Sequence, residues 1–155
     1  MTFLGGQEME PAMTQAARVS TEVNATPDEV WEVLTDPDKL SKLFFGAQVS
    51  TDWQVGHPIR WTGEWEGKSF QDKGEVREVA PGQRLAFTHW SAMSGQEDRP
   101  ENYHLVTIDL AGAAEGTQVT LTQDNASGEV KPEQRAEFEK NWRMFLDGLK
   151  AQAEA

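Results

Sequence analysis

No cysteine occurs in the sequence, which excludes a disulfide framework, thiolate catalysis and a thiolate metal site, and which fits a cytoplasmic protein. Cationic residues are also few, since 14 Lys and Arg stand against 26 Asp and Glu for a formal net charge of −12. No cationic cluster offers a surface to nucleic acid or to an anionic membrane. No apolar run approaches the roughly twenty residues of a membrane-spanning helix. We therefore expect neither nucleic acid nor a membrane as partner.

The sequence motifs of several enzyme classes are missing as well. There is no serine in a nucleophile-elbow context, no phosphate-cradling glycine loop and no dinucleotide fingerprint. The three histidines, His57, His89 and His104, lack the spacing of metal ligands. We therefore predict no catalytic residue, no metal and no cofactor, and a binding protein is favoured over an enzyme.

Large aromatic side chains are what the sequence does contain, with six Trp and seven Phe. Several lie between Pro132 and about Gln152, where apolar residues recur at spacings of three and four and predict one stripe on a helix of about five turns. The stripe consists of Phe138, Trp142, Phe145, Leu146 and Leu149. Such a stripe requires burial, so the rest of the chain is predicted to fold around this helix.

The remaining chain divides into a leader and one domain. Residues 1–16 show no periodicity and are predicted to be a flexible leader, and residues 17–153 are predicted to be a single domain. A first strand at residues 18–23 precedes two short helices that begin at Pro27 and Pro37. Alternating segments bounded by glycines then predict six further strands, at about 47–52, 58–65, 68–79, 84–91, 102–111 and 117–124.

This order of elements predicts an α+β fold, in which a curved antiparallel sheet of six to seven strands wraps around the long C-terminal helix. A strongly twisted sheet of this size curls, and one amphipathic helix does not fill its concave face. A cavity between helix and sheet is therefore expected.

Five segments stand in a recognisable order: VNATPDEVWEVLTDPDKL at 23–40, VGHPIRW at 55–61, GEVREVAPGQRLAFTHW at 74–90, GTQVTLT at 116–122 and NWRMFLDGLK at 141–150. Together they resemble the START-like (SRPBCC, helix-grip) superfamily, and within it the branch of the activator of the heat-shock-protein-90 ATPase. The resemblance implies a helix-grip fold and a hydrophobic cavity for a small or lipid-like molecule, but no shared reaction. Family members commonly carry Gly-Trp where this chain has Asn141-Trp142, so Asn141 is expected to trim or polarise the cavity.

Eleven residues are predicted to line this cavity. They are Trp61, Trp65, Phe70, Phe87, His89, His104, Val106, Phe138, Asn141, Trp142 and Phe145. Each aromatic side chain buries on the order of 150–250 Å² and supplies a flat wall for an aromatic, polyketide-like or isoprenoid guest. The alternative for any one of them is packing in the core, which every globular domain needs.

Two histidines are predicted to meet on the inward face of the sheet. If strands 84–91 and 102–111 pair with Leu85 opposite Ile108, the same register sets His89 opposite His104. Such a pair can hydrogen-bond or transfer protons near neutral pH. The alternative is two partly exposed histidines at the rim.

Three functions remain as alternatives at this stage. The leading prediction is the binding of a small hydrophobic, aromatic or lipid-like ligand in the cavity. A polyketide cyclase-like enzyme would use the same cavity, whereas a chaperone-associated interaction module would use the acidic outer surface. Both a monomer and a homodimer are compatible with the predicted strand edges.

Overall fold

One antiparallel sheet organises the part of the chain that the structure describes. The computed structural model describes residues 16–44, 47–91, 96–125 and 132–155. The strands are β1 (Ala17–Val23), β2 (Gln48–Ser50), β3 (Pro58–Trp65), β4 (Lys68–Ala80), β5 (Arg84–His89), β6 (His104–Ala113) and β7 (Gly116–Asn125). They pair in the order β1-β7-β6-β5-β4-β3-β2. The predicted α+β class is confirmed, with the larger of the two expected strand numbers, while the predicted leader lies outside the described residues except for Ala16.

Two short helices follow β1, as predicted. α1 (Pro27–Thr35) begins with a reciprocal cap, in which Thr26 Oγ1 accepts a hydrogen bond from the N–H of Glu29 at 3.1 Å and the Glu29 carboxylate accepts one from the N–H of Thr26 at 2.9 Å. α2 (Pro37–Leu43) begins at Asp36, whose side chain accepts hydrogen bonds from the first-turn amides. Both starts follow from a capping residue placed directly before proline.

The long helix α3 (Pro132–Glu154) begins at the predicted proline and packs against the apolar face of the sheet. Phe145, Leu146 and Leu149 are buried in its C-terminal half, whereas Phe138 and Trp142 are half-buried. The strand residues in the same core are Val19, Val23, Val49, Ile59, Trp61, Val76, Leu85, Phe87, Val106, Ile108, Leu110, Val119 and Leu121. The apolar stripe is therefore closed by the core at one end and partly open at the other. No helix in the described part of the chain is long and apolar enough to cross a membrane.

The free edge of β1 is covered by α3. Alternate residues of an edge strand turn their backbone N–H and C=O groups away from the sheet. Four α3 side chains hydrogen-bond to these groups: Glu139 to the N–H of Arg18, Arg143 to the C=O of Ser20, Lys150 to the C=O of Glu22, and Glu154 to the N–H of Asn24. We call these contacts the β1 seam. Since an unpaired edge is a template for another chain, the seam both positions the helix and shields the strand.

Candidate functional site

A cavity of about 410 Å³ lies between the sheet, the end of α2 and the middle of α3. Its lining residues are Leu43, Phe44, Trp61, Asp72, Phe87, His89, Asn141, Trp142 and Phe145. Small-molecule sites commonly have volumes of about 300–1,000 Å³, so this cavity has the size of a ligand pocket. Because five of its lining residues are Phe or Trp, its surface is largely aromatic.

Three parts of the fold supply the aromatic walls. Phe44 at the end of α2 has its ring centroid 5.9 Å from that of Trp61 on β3, 6.2 Å from Trp142 and 5.1 Å from Phe145 on α3. Trp61 lies 5.6 Å from Phe87 on β5. The ring planes of these pairs are inclined by 49° to 82°. Inclined contacts of this kind are the favoured geometry of aromatic pairs, so the walls hold one another in place before a guest arrives.

One wall of the cavity is polar. Asp72 on β4 pairs directly opposite Trp61, which puts its carboxylate on the same face of the sheet as the aromatic rings. Its Oδ2 lies 3.0 Å from Nε2 of His89 on β5. The Asp72 side chain is 14% exposed and that of His89 is 28% exposed, and the imidazole meets the Trp61 ring edge-on at 4.8 Å. An acid–base pair thus faces a largely aromatic space.

His104 lies directly opposite His89, as the sequence register predicts. The two rings are nearly parallel, at 18°, and their centroids are 6.2 Å apart. Nδ1 of His104 is 2.6 Å from Oδ1 of Asn125, and Phe138 meets the imidazole edge-on. Burial lowers the pKa of His104 below its ordinary value, the hydrogen bond with Asn125 raises the pKa in part, and the charge of His89 lowers it again. The neutral form of His104 is therefore favoured.

Two indole N–H groups at the cavity have different environments. Nε1 of Trp142 donates a hydrogen bond to the side-chain oxygen of Gln123 on β7, which fixes the ring against the sheet. Nε1 of Trp61 is buried and has no hydrogen-bond partner among the described residues. Asn141 is exposed while lining the cavity, so it marks the outer rim.

Residues 24–154 match the family described as Activator of Hsp90 ATPase homolog 1-like protein. The chain belongs to this family. A Cytophaga hutchinsonii protein with a solution structure is 40% identical in sequence, with a TM-score of 0.75 over 87% of this chain and 90% of its own. A search of curated proteins gave no match.

More distant structures share the fold of this chain. Aha1 from Colwellia psychrerythraea, whose solution structure is a dimer, is 20% identical with a TM-score of 0.69, over 90% of this chain and 96% of its own. CalU16 from Micromonospora echinospora is 20% identical with a TM-score of 0.68, over 89% of this chain and 75% of its own. At these identities the comparison shows a common fold and nothing further.

Six of the eleven residues predicted to line the cavity do line it: Trp61, Phe87, His89, Asn141, Trp142 and Phe145. Their contact with a ligand stays a prediction. The alternation of apolar residues along β3 and β5 places the first three on the concave face, and the helical stripe places Trp142 and Phe145 opposite them.

Four of the other five predicted residues do not line the cavity. Val106 is completely buried in the core, and Phe70 is half-buried farther along β4. His104 and Phe138 contact each other on the far side of His89. The side chain of Trp65 lies outside what the structure describes. Inward-facing residues line the cavity only where space stays open beside α3, and the buried core residues Trp61, Phe87 and Phe145 also border that space.

Three cavity residues were missed from the sequence: Leu43, Phe44 and Asp72. Asp72 had a usable signal, since counting outward from the tight hairpin at Glu66-Gly67 sets it opposite Trp61. The position of Leu43 and Phe44 depends on how α2 packs, which no local pattern specifies.

A larger depression of about 600 Å³ lies on the convex side of the sheet. Its lining includes Lys73, Glu75, Arg77 and Asp98. Lys73 forms an ion pair with Asp98, and Arg77 pairs with Glu75 at 2.8 Å. Such paired charges suit solvent better than an apolar guest. Within the described ranges no group of three or more His, Cys, Asp or Glu residues is placed to hold a metal ion.

Proposed function

We propose that this chain binds a small, largely aromatic hydrophobic molecule in the cavity between the sheet and α3. The observation that carries the proposal is a cavity of about 410 Å³ whose walls include five Phe and Trp rings. Apolar surface removed from water stabilises a complex by roughly 25 cal/mol per Å² before the costs of association. A planar apolar guest would gain most from these walls.

The surroundings of the cavity support this function. Trp142 is half-buried, so α3 offers apolar surface that the core does not use completely. The START-like resemblance implies the same kind of ligand. The absence of cysteine is in keeping with a cytoplasmic setting for the binding.

The test is ligand-dependent stabilisation of the purified protein. Its unfolding temperature is measured against a library of aromatic, polyketide-like and lipid compounds, because a ligand at 100 times its Kd adds about 2.7 kcal/mol of stability. We expect one chemical class to raise the unfolding temperature by several degrees. Trp142→Ala removes a cavity wall and should abolish the shift, whereas Met144→Ala, which shortens an exposed residue of the same helix, should retain it.

A second candidate is binding to a chaperone, which the family description alone favours. The net charge of −12 would suit a basic partner surface, and such binding would weaken in about 0.5 M salt, where screening is severe. If no compound in the library shifts the unfolding temperature, and the chain captures the chaperone in a salt-sensitive way, chaperone binding replaces ligand binding as the proposed function.

A further inference from the structure

The polar wall of the cavity points to a particular chemical group on the guest. We infer that the bound molecule carries a hydroxyl group that donates a hydrogen bond to Nδ1 of His89, with Asp72 holding the imidazole in the required form. This inference rests on the proposed function, since it names the class of molecule that the same cavity accepts.

The two ring nitrogens of His89 have different surroundings. Nε2 lies 3.0 Å from Oδ2 of Asp72. An ionised carboxylate only accepts hydrogen bonds, so a neutral His89 places its proton on Nε2 and leaves a lone pair on Nδ1. Within the described residues, no hydrogen bond reaches Nδ1, and the imidazole is 28% exposed. Since His89 lines the cavity, we take this lone pair as the acceptor that a guest meets.

The acceptor on His89 and the carboxylate of Asp72 together discriminate among charged and neutral groups of a guest. A carboxylate on the guest would meet Asp72 in the same wall of a protein with net charge −12, and like charges at short range repel. An ammonium group would compete with His89 for the Asp72 carboxylate. A neutral hydroxyl donates a hydrogen bond to Nδ1 of His89. The Asp72–His89 contact stays intact, so the acceptor gains a partner and no existing contact is broken.

The aromatic rings around His89 determine what the rest of the guest must be. Trp61 lies edge-on to His89 at 4.8 Å and is itself in contact with Phe44 and Phe87. If the hydroxyl that binds His89 is attached directly to a flat ring, that ring lies next to these aromatic side chains. The class of guest is therefore a phenol or naphthol rather than a long-chain alcohol.

The experiment compares four probes that share one ring system: 2-naphthol, 2-methoxynaphthalene, 2-naphthoate and 2-naphthylmethylammonium. Affinities for the full chain are measured by calorimetry at pH 8, where histidine side chains are predominantly neutral. One hydrogen bond corresponds to about a tenfold change in Kd. We expect 2-naphthol to bind about tenfold more tightly than 2-methoxynaphthalene, which keeps the ring but cannot donate, and more tightly than both charged probes.

Variants assign the preference to the acceptor. In His89→Phe the ring remains but the acceptor is lost, so the naphthol preference should fall to about onefold. His57→Phe is a matched control, because His57 forms a similar pair with Asp52 at 2.6 Å on the surface, and it should keep the preference. In the wild-type protein, nitrogen NMR should show His89 protonated at Nε2, with the Nδ1 signal moving when 2-naphthol is added.

Loss of the hydroxyl preference and loss of all binding have different meanings. Equal binding of 2-naphthol and 2-methoxynaphthalene, with both lost in Trp142→Ala, would overturn the inference and leave the hydrophobic cavity in place. Tighter binding of either charged probe, or a His89 proton on Nδ1, would also overturn it. If none of the four probes binds, while the compound library also gives no shift, the proposed function itself fails.

Discussion

Trp142 of α3 donates a hydrogen bond from its indole nitrogen to the side-chain oxygen of Gln123 on β7. Gln123 is one of the few buried polar residues, at 4% exposure, and it lies on the inward face of its strand. This contact joins the helix to the sheet at the side of the cavity. The indole ring that forms one cavity wall is thus oriented by a residue that does not line the cavity.

Replacing one partner of this contact should destabilise the protein more than replacing both. Gln123→Leu leaves the Trp142 N–H unpaired, and Trp142→Phe leaves the Gln123 amide unpaired, each at a cost of about 1–3 kcal/mol. Chemical denaturation of the two single variants and the double variant gives the coupling energy, which we expect to be about 1–2 kcal/mol. If the loss of unfolding free energy in the double variant equals the sum of the two single losses to within about 0.5 kcal/mol, the two side chains do not interact.

Gly74 should not tolerate a methyl group. A Cβ at this position would collide with the backbone carbonyl of Thr88 on the neighbouring strand, close to where Asp72 reaches His89. Gly74→Ala should therefore reduce the free energy of unfolding by about 2–3 kcal/mol and weaken binding of 2-naphthol by separating the two residues. Gly112→Ala is the control, because open space surrounds that position and a small gain in stability is expected. Equal effects of the two substitutions would show that β4 and β5 have room to move.

Stability should fall as the pH is lowered from 7.5 to 5.5. The pKa of His104 in the folded protein is lowered by burial from its ordinary value of 6.5. The unfolded chain therefore takes up this proton at a higher pH than the folded protein does, which favours unfolding below about pH 6.5. The contribution is fully present above 6.5 and is lost as the pH falls toward the lowered pKa. Denaturation at both pH values should show a smaller fall in His104→Phe than in wild type.

The hydrogen bond with Asn125 provides an independent check on His104. Because this bond raises the pKa of His104, Asn125→Ala should lower that pKa further. Proton NMR titration of the imidazole in the wild type and the variant measures the difference directly. A pKa that rises in Asn125→Ala would show that the amide does not stabilise the protonated ring.

Opening the β1 seam should promote self-association. Glu139→Ala combined with Arg143→Ala frees the backbone groups of Arg18 and Ser20 without changing the net charge, and exposed strand edges pair with other chains. Analytical ultracentrifugation over a range of concentrations should show more oligomer than in the wild type. Glu137→Ala combined with Lys140→Ala makes the same change in charge at exposed positions of α3 and should leave the distribution unaltered. If both double variants behave alike, the seam does not protect the edge.

The elements of this fold were largely predictable because the local signals agree with the tertiary structure. The cap at Thr26, the proline at 132 and the two-residue alternation along β3 and β6 each indicate the observed element and face. β2 was predicted at 47–52 but spans Gln48–Ser50. This edge strand ends where pairing with β3 ends, and pairing is a property of two segments rather than one.

The candidate site was predicted less completely, for a physical reason that Asp72 illustrates. The inward positions of β4 hold Phe70, Asp72, Gly74 and Val76, so hydrophobic alternation does not reveal the face of this strand. Phe44 was missed for a different reason. It terminates α2, and the direction of its side chain depends on how that helix packs against α3.

The β1 seam fastens α3 along one edge of the sheet, while the cavity lies on the opposite flank of the helix, toward β3 and β5. A roll of the helix about this edge moves Trp142 and Phe145 relative to Trp61 and Phe87 without breaking any strand pairing. It also stretches the hydrogen bonds of Trp142 to Gln123 and of Gln152 to the C=O of Lys39, which hold the helix elsewhere. We expect dipolar couplings of the α3 amides to report this rotation when thin and thick guests are compared. The four seam side chains limit how far the helix can roll, and this limits the thickness of the guest that fits. Residues on the β1 side of α3 therefore determine the upper size of a guest bound on its cavity side.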